Sequence, residues 1–465
     1  MFLLNSTNNR QFGIVSDSYL SNYNLGDFVR VYETLVGNIP SGSLVFFLAD
    51  NSAESVAVLV GLLNHNAVTL MLSHELDGTL LNKLNKQYPP NFIIKLKQHS
   101  EEINLNLVYT FERFSIYKNS KSKNINYNLH PKLKFLLPTS GSTGSPKLVR
   151  HSLENITASS RMVSKSLGIK EEDVALGILP LYYTMGMSVV LSHLFAGAKL
   201  HMSHLSLTDR NLWQQVKSAD VSNFTGVPYS FEILDKLRFE RIIPDQLKVL
   251  SQGGGKLRTA LFEKIAQYCV KNNKLFIATY GQTESSARMT YLPPGRALDK
   301  VGSIGIPISE CRIELHSENG SLVNLGETGE IVFFGPNVTM GYAQQIEDLA
   351  LGDVNMNVLK TGDLAYVDEE GFYYIKGRKS RFLKVYGSRI SLDEVEQIIL
   401  NRFQMACAVG GVDDNLIIQL ENSIDDSSKV VKHISEIIGI HHSAIKLERV
   451  DELKRTSSGK IVFNR

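Results

Sequence analysis

Residues 43–72 read SLVFFLADNSAESVAVLVGLLNHNAVTLML. The segment opens with a short apolar run rich in β-forming residues and closes with a second run, AVTLML. Between them, Asp50, Asn51 or Ser52 can cap a helix whose apolar positions match one buried helical face. A strand, a capped helix and a second strand predict one βαβ unit, the building block of an α/β domain.

The same alternation of apolar strands with helical stretches continues along the chain. Further strand-like runs are FLLPTS, VALGILP, VSNFTGVP, LKVLSQGGG and LFIATYGQTE, and the stretch 259–272 is helical in pattern. From about residue 302 the pattern changes to short strands joined by Gly turns, and a mixed helix and strand pattern follows residue 380. We predict a mixed α/β fold with a large N-terminal domain over 1–379, a β-rich subdomain at about 300–379, and a small α+β C-terminal domain over 380–465.

Composition and charge exclude several classes of protein. The 465 residues include 49 Lys and Arg against 47 Asp and Glu, a net charge of +2 that gives no basis for a nucleic-acid partner. The longest clean apolar run, VAVLVGLL from Val56, is too short to span a membrane, which takes roughly 20 residues. The three cysteines are scattered, and the start of the chain turns polar after four residues. We therefore expect a cytoplasmic protein without a leader, a disulfide framework or a zinc site.

The sharpest local motif is TSGSTGSPK, residues 139–147, which follows an apolar strand. Hydroxyl residues between glycines expose donors with little bulk, and a lysine adds positive charge, a combination suited to phosphate oxygens. The Walker pattern does not fit, because the lysine follows Pro146 and precedes Leu148. A flexible surface loop remains the structural alternative. The candidate phosphate-binding residues are Thr139, Ser140, Gly141, Ser142, Thr143, Gly144 and Lys147.

Together with later segments, this motif resembles the adenylate-forming superfamily of acyl- and aryl-CoA synthetases, peptide-synthetase adenylation domains and luciferases. The further segments occur in the family's order: LYYTMG at Leu181, GGGKL at Gly253, YGQTE at Tyr280, TGD at Thr361 followed by KGRKSRFLKVYGSRISLDEVE, and RTSSGKI at Arg455. The resemblance covers roughly the last seven-tenths of the chain. It implies AMP-forming activation of a carboxylate by ATP and a mobile C-terminal domain.

The resemblance implies which residues hold the nucleotide. Tyr280 would stack on adenine, Asp363 would accept both ribose hydroxyls, and Arg378 would contact the ribose. The glycines of the nucleotide-binding set are Gly253, Gly254, Gly255 and Gly281. Without the family context, the triple glycine would be a tight turn after a strand and Asp363 would form an Asx-turn.

The resemblance also implies the catalytic groups. Thr283 would bond the α-phosphate, and Glu284 would hold Mg²⁺ against the triphosphate, with Thr143 as a second metal ligand. Lys460, in the RTSSGKI loop, would bridge the substrate carboxylate and the phosphate as charge is redistributed. A solvated tail lysine and a solvated carboxylate are the alternatives.

The second half-reaction involves another face of the C-terminal domain. By resemblance, Lys384 belongs to the face that swings in, and Gly387 would line the tunnel for a pantetheine thiol. The structural reading is a strand, a turn and a helix capped by Ser391, and both readings can hold at once. Ser380 departs from the family's usual Asp or Lys at the hinge.

The substrate prediction depends on the LYYTMG segment. No acidic residue lies there to pair with an amine, so an acyl, hydroxyacyl or aryl acid is favoured over an amino acid. The family's histidine is missing, since the segment has Tyr182-Tyr183. The pocket candidates are Tyr182, Tyr183, Met185, Met187, Phe224, Gly226, Val227 and Pro228, and the two methionines could equally be core residues.

The leading function is ATP- and Mg²⁺-dependent formation of an acyl-adenylate, followed by transfer of the acyl group to a thiol, with CoA as the favoured co-substrate. The alternative is a stand-alone adenylation enzyme that loads an acyl carrier protein or an amine. A catalytically silent relative is disfavoured because Lys147, Glu284, Asp363, Arg378 and Lys460 are all retained. A phosphotransferase is disfavoured because a Walker lysine and a second acidic metal cluster are absent from the sequence.

Overall fold

The computed structural model describes residues 14–16, 19–23, 25–97, 105–111, 113–120, 127–138, 147–421, 427–456 and 461–464. The predicted phosphate-binding residues 139–144 and Lys460 lie outside these ranges, so their roles stay predictions. Within the described ranges, every helix is too short or too polar to traverse a lipid bilayer.

The strands in the described part of the chain belong to five sheets. They are β1 (Ile14–Ser16), β2 (Tyr19–Tyr23), β3 (Leu44–Ala49), β4 (Val68–Ser73), β5 (Phe92–Leu96), β6 (Leu105–Phe111), β7 (Phe114–Asn119), β8 (Leu133–Pro138), β9 (Leu148–Ser152), β10 (Val174–Gly177), β11 (Lys199–Met202), β12 (Asn223–Gly226), β13 (Val249–Gln252), β14 (Leu275–Tyr280), β15 (Thr290–Tyr291), β16 (Ile306–Pro307), β17 (Arg312–His316), β18 (Gly329–Phe334), β19 (Tyr342–Ala343), β20 (Val358–Val367), β21 (Tyr373–Arg378), β22 (Phe382–Val385), β23 (Ser388–Ser391), β24 (Cys407–Val412), β25 (Asn415–Glu421) and β26 (Ile445–Val450).

The α-helices alternate with these strands over most of the chain. They are α1 (Leu25–Asn38), α2 (Ala53–Asn64), α3 (Gly78–Gln87), α4 (Leu153–Leu167), α5 (Thr184–Ala196), α6 (Arg210–Ser218), α7 (Pro228–Lys236), α8 (Thr259–Lys271), α9 (Leu392–Phe403) and α10 (Ser427–Ile438). The predicted mixed α/β fold is confirmed.

The predicted βαβ unit is β3, α2 and β4. The two strands pair in parallel, with Leu44 opposite Val68. Of the three candidate caps, Ser52 begins the helix, and its hydroxyl accepts a hydrogen bond from the Ser55 backbone N–H at 3.2 Å. Nearly every residue of α2 is buried, which is why its apolar positions cover more than one helical face.

Two large sheets form the body of the molecule. An eight-stranded sheet has the order β19-β9-β8-β4-β3-β5-β7-β6, and a nine-stranded sheet has the order β16-β15-β14-β13-β12-β10-β11-β1-β2. The central strands of both sheets run parallel, as expected for strands joined by helical crossovers. One continuous core includes α2, α5, Phe47 of the first sheet and Leu200 of the second, so these helices pack between the sheets.

The stretch 300–379 is β-rich, as predicted, but its strands join three sheets. Strands β17, β18, β20 and β21 form an antiparallel four-stranded sheet. Strand β16 extends the nine-stranded sheet, while β19 pairs with β9 at the edge of the eight-stranded sheet. These two short strands carry residues of this stretch to the ends of the larger sheets.

The C-terminal elements have a small core of their own. The hairpin β22-β23, the sheet β24-β25-β26 and the helices α9 and α10 enclose buried residues that include Val385, Val395 and Ile418. Ser391 begins α9, and its hydroxyl accepts from the Glu394 backbone N–H at 3.3 Å, as the sequence predicts. The domain boundary at residues 379 and 380 stays a prediction.

Candidate active site

Residues at the ends of two strands and in one turn donate to one buried carboxylate, that of Asp363 on β20. The Tyr280 hydroxyl donates to Oδ2 at 2.5 Å, and the Gln282 side-chain amide donates to the same oxygen at 2.7 Å. Arg378 Nε donates to Oδ1 at 3.0 Å. Asp363 is only 3% exposed and lies within β20, so it does not form an Asx-turn. We call these four residues the Asp363 cluster.

The electrostatics of the cluster favour a neutral phenol beside an anionic acceptor. Burial, followed by the charge of Asp363, raises the pKa of Tyr280 well above its ordinary value. The phenol therefore stays protonated and donates to the carboxylate. Gln282 was not among the predicted site residues. Its position in the YGQTE motif was the available signal.

A second group of side chains surrounds Glu284. The Tyr342 hydroxyl donates to Glu284 Oε1 at 2.5 Å, and Lys147 Nζ lies 5.4 Å from the centre of the Tyr342 ring. Burial and the neighbouring Glu284 charge raise the pKa of Tyr342, so its phenol remains a donor. Lys147 and Glu284, which are both predicted to face the phosphates, thus lie next to the same side chain, that of Tyr342 on β19.

Glu284 fits the predicted magnesium role. Its carboxylate is partly exposed, and only one of its oxygens receives the Tyr342 hydrogen bond. Across the described ranges, no group of three or more His, Cys, Asp or Glu residues could hold a metal alone. Mg²⁺ is commonly bound by one or two carboxylates with substrate phosphates completing its ligands, which agrees with a single protein carboxylate here.

The LYYTMG and YGQTE motifs meet through two hydroxyls. Thr184, the first residue of α5, lies 2.9 Å from Thr283 between the Oγ1 atoms. Thr184 was not predicted as a site residue, although it belongs to a motif that was. The contact places the start of α5 beside the predicted α-phosphate ligand.

The predicted glycines lie where side chains would collide with the site. A Cβ at Gly253 would be 2.5 Å from Met185 Cε, and one at Gly281 would be 1.6 Å from the Ala287 carbonyl oxygen. Gly254 has φ +79°, and a Cβ at this position would be 2.7 Å from the Tyr183 hydroxyl oxygen. The GGGKL segment is therefore a close approach of backbone to the LYYTMG segment, in addition to a turn.

An apolar cluster lies at this approach. Leu179, Met185 and Val227 are buried together with Tyr183 packed against them. Only some of the predicted pocket residues belong to this cluster. Met187 and Phe224 belong instead to the two large hydrophobic cores.

Lys384 and Gly387 make none of the hydrogen bonds of the Asp363 cluster. They belong to the β22-β23 hairpin, whose turn residues Tyr386 and Gly387 both have positive φ. The Lys384 side chain is exposed, its backbone N–H donates to Asp413 Oδ1 at 2.8 Å, and a Cβ on Gly387 would meet no atom within 4 Å. This arrangement matches the predicted strand, turn and helix, and the roles of Lys384 and Gly387 toward a pantetheine thiol stay predictions.

The described residues on either side of the Lys460 segment contact each other and helix α7. Arg455 and Ile461, which flank it, pair as an antiparallel bridge. The Arg455 guanidinium lies 4.8 Å from the centre of the Tyr229 ring, on helix α7 next to Val227 of the apolar cluster. One described end of this segment therefore contacts α7, the helix that begins next to Val227.

Comparison with known proteins agrees with this geometry. The family model described as AMP-binding enzyme matches residues 33–343. The 2-succinylbenzoate–CoA ligase of Bacillus cytotoxicus is 29% identical over 368 residues, which cover 78% of this chain and 74% of the relative. The structure of o-succinylbenzoate CoA synthetase from Bacillus subtilis with its acyl-adenylate intermediate superposes with a TM-score of 0.79 at 22% identity, covering 99% of this chain and 95% of that one.

These matches confirm the predicted fold, with its large N-terminal and smaller C-terminal domains, and the predicted AMP-forming acid–thiol ligase. The Bacillus subtilis synthetase has also been solved with ATP and a magnesium ion, with a TM-score of 0.78 at 21% identity over 97% of this chain and 95% of that one. The predicted use of ATP, Mg²⁺ and CoA agrees with what these relatives are named for. Since the family model spans more than half of its length, this chain belongs to the AMP-binding enzyme family.

Proposed function

We propose that this protein activates a small carboxylic acid with ATP and Mg²⁺ to an acyl-adenylate and then transfers the acyl group to CoA. The observation that carries this proposal is the Asp363 cluster, in which donors from β14, the turn after it and β21 orient one buried carboxylate beside the Tyr280 ring. A fixed, anionic acceptor next to a flat aromatic surface suits a nucleoside, because it can accept both ribose hydroxyls while the base stacks.

The nucleotide would lie along the end of the nine-stranded sheet. Tyr280 would contact the adenine, with the bare backbone of Gly253, Gly254, Gly255 and Gly281 close to the base. Asp363 and Arg378 would hold the ribose. Lys147 and the loop 139–144 would receive the phosphates, and Thr283, supported by Thr184, would bond the α-phosphate.

Magnesium would bind between Glu284 and the triphosphate, with Thr143 as a second protein ligand. When bound, it neutralises phosphate charge and favours departure of pyrophosphate. The Tyr342 hydroxyl would orient Glu284 for this role, and Lys147 would add a second positive charge nearby.

The first half-reaction is an in-line displacement at phosphorus. A carboxylate oxygen of the acid bonds to the α-phosphorus as the bond to pyrophosphate breaks, which gives acyl-AMP. Lys460 would stabilise the charge shared by the carboxylate and the α-phosphate. The contact between Arg455 and the Tyr229 ring supports this role, because it ties the chain just before this segment to helix α7, which begins next to Val227 of the apolar cluster.

The second half-reaction needs the other face of residues 380–465. The CoA thiolate attacks the acyl carbonyl carbon, and AMP leaves. We propose that this region rotates about Ser380 to bring Lys384 and Gly387 toward the acyl-adenylate, because both residues lie at exposed positions of their hairpin. A phosphopantetheine on an acyl carrier protein is the alternative acceptor, since it presents the same thiol.

The acid would be an acyl or aryl carboxylate. The cluster of Leu179, Met185 and Val227 with Tyr183 is apolar and offers no acid to pair with an amine. The relatives named for 2-succinylbenzoate make that acid the first to try. A cytoplasmic location follows from the need for ATP and CoA.

The proposal is tested by measuring pyrophosphate release from ATP and Mg²⁺ across a panel of short and long fatty acids, hydroxyacids, aryl acids and amino acids. Release should depend on the acid and be reduced by orders of magnitude in Lys460→Ala. CoA should raise turnover, and Lys384→Ala should slow only the CoA-dependent step. Full activity of Lys460→Ala, or no release with any acid, would contradict the proposal.

A further inference from the structure

A buried arginine next to the site has almost none of its hydrogen bonds made. Arg288 is 1% exposed, and its guanidinium donates one described hydrogen bond, from Nη1 to Ser188 Oγ at 3.0 Å. Its Nε has no partner, and no carboxylate of the described residues lies within ion-pair distance. A guanidinium carries five N–H donors, and burying an uncompensated charge is costly, so this group has unused capacity for an anion.

Arg150 shows how this fold satisfies a buried arginine that serves structure alone. It is fully buried, as Arg288 is. Its guanidinium donates to four backbone carbonyl oxygens, those of Met340, Tyr342, Leu351 and Gly352. Arg288 lacks such a set of acceptors, so burial in a structural role does not explain it.

Arg288 reaches the same helix that forms one side of the site. Its Cα would lie 2.8 Å from a Cβ on Gly281, so its backbone packs against the YGQTE motif. Its acceptor Ser188 lies on α5 one turn beyond Thr184 and Met185, on the same face of the helix. The guanidinium therefore lies in the layer directly below the Thr184–Thr283 contact and the apolar cluster.

Small polar side chains line this layer between α5 and the nine-stranded sheet. Asn223 of β12 donates to His193 of α5 at 3.1 Å, which shows that this face of the strand meets the helix. Thr225 is on the same face as Asn223, and its partner across the strands is Ser251. The Ser251 hydroxyl is buried and has no hydrogen-bond partner.

The electrostatics agree with a layer that holds one positive charge. Burial, with a smaller contribution from the charge of Arg288, lowers the pKa of His193 to about 4. His193 is therefore neutral, and Arg288 is the charged group of the layer. An arginine and an unpaired serine hydroxyl together match a carboxylate, which can accept two N–H bonds and one O–H bond.

We propose that the acid substrate carries a second, distal carboxylate that binds the Arg288 guanidinium, with Ser188 and Ser251 as hydroxyl partners. The apolar middle of the acid would lie against Met185 and Val227, and its other carboxylate would be adenylated. The substrate class is thus a dicarboxylic acid. This inference rests on the proposed function, since it describes the far end of the same acid site.

The test compares acids that differ only in the distal group. The pairs are 2-succinylbenzoate with 3-benzoylpropionate, and adipate with hexanoate, and the readout is kcat/KM for pyrophosphate release. We expect the wild-type protein to prefer the diacid in at least one pair by tenfold or more. Arg288→Met should lower that preference at least tenfold, and Arg288→Lys should restore part of it, because lysine keeps the charge but not the planar fork.

The controls separate recognition from stability. Arg150→Met removes a buried arginine of the same size and should lower both members of each pair equally. If Arg288→Met does not fold, Ser251→Val replaces it, and its diacid preference should fall at least threefold. A wild-type preference for the monoacid in both pairs, or an equal loss of both acids in the folded variant, would overturn the inference.

The two proposals fail in different ways. Turnover of monoacids without a diacid preference would overturn the dicarboxylate assignment and leave adenylation standing. No pyrophosphate release with any acid would overturn adenylation. In that case calorimetric binding of adipate and hexanoate in the presence of ATP decides, since tighter binding of adipate supports the distal site and equal binding overturns it.

Discussion

The Tyr280 hydroxyl and the Asp363 carboxylate, 83 residues apart in sequence, form a 2.5 Å hydrogen bond that joins the nine-stranded sheet to the four-stranded sheet. Arg378 completes the contact from the end of β21, and its backbone N–H donates to Asp393 of α9 at 2.9 Å. The carboxylate proposed to hold the ribose is therefore two hydrogen bonds from the C-terminal elements. Nucleotide occupancy and the position of the C-terminal region can be coupled through this path.

Removal of the Asp363 charge should weaken ATP binding. Asp363→Asn keeps the shape of the side chain but loses the ion pair with Arg378 and the anionic acceptor for the ribose. We expect Kd for ATP to rise about tenfold to a hundredfold, because a charge-assisted hydrogen bond contributes roughly 1.5–3 kcal/mol. Isothermal titration calorimetry measures it. Tyr280→Phe should have a smaller effect in the same direction.

The matched control is Asp368→Asn. That carboxylate also pairs with a cation, Lys300, at 2.8 Å, but it lies in the turn after β20, away from the cluster. Its substitution should leave Kd for ATP within about twofold. Equal losses in the two variants would mean that the effect comes from the sheet and not from the site.

The contact between Tyr342 and Glu284 predicts a graded dependence on magnesium. Glu284→Gln removes the charge that would hold the ion, and Tyr342→Phe removes only the hydroxyl that orients it. We expect the Mg²⁺ concentration for half-maximal pyrophosphate release to rise about tenfold or more in the first variant and about threefold in the second. Tyr366→Phe, whose ring stacks on Tyr374, serves as the control. An unchanged magnesium requirement in Glu284→Gln would remove that residue from the metal site.

Local patterns explain how much of the fold could be read from the sequence. The βαβ unit at residues 43–72 was predictable because the cap at Ser52 and the apolar spacing of α2 depend on neighbouring residues. Two-residue strands such as β19 leave no such pattern. Tyr342 reaches Glu284 because β19 pairs with β9, a strand almost 200 residues earlier in the chain, so no local signal could identify it.

The candidate site also combines residues that a motif identifies with contacts that only the tertiary structure reveals. Asp363, Tyr280 and Arg378 were identified by motif, but their mutual hydrogen bonds depend on how two sheets meet. Lys384 was identified too, yet its exposed position reflects the orientation of the C-terminal elements, which sequence spacing does not encode. Arg288 was missed, because a single arginine after YGQTE reveals nothing about the burial that makes it unusual.

Two buried histidines predict loss of stability in mild acid. Burial lowers the pKa of His151 to about 3 and that of His193 to about 4, against about 6.5 in the unfolded chain. The unfolded state therefore binds more protons below pH 6.5, and the free energy of unfolding decreases as pH falls from there toward 4. Each histidine should cost about 1–2 kcal/mol by pH 5.

Urea denaturation at several pH values measures this dependence. His193→Gln and His151→Gln should each flatten the decline between pH 6.5 and 4, because glutamine does not titrate. His204→Gln, at an exposed position, should keep the wild-type slope. A slope unaffected by both buried substitutions would assign the acid sensitivity to other groups.

The contact between Arg455 and Tyr229 predicts a defect confined to adenylation. Their 4.8 Å cation–π contact connects the segment before Lys460 to α7, so its loss should disfavour the arrangement in which that lysine reaches the acid. We expect Arg455→Ala to slow acid-dependent pyrophosphate release about tenfold, while CoA transfer from supplied acyl-adenylate is much less affected. Tyr229→Leu should act similarly, and the double variant should be no worse than either single one, since both remove the same interaction. Fully additive losses would show that the two residues act independently.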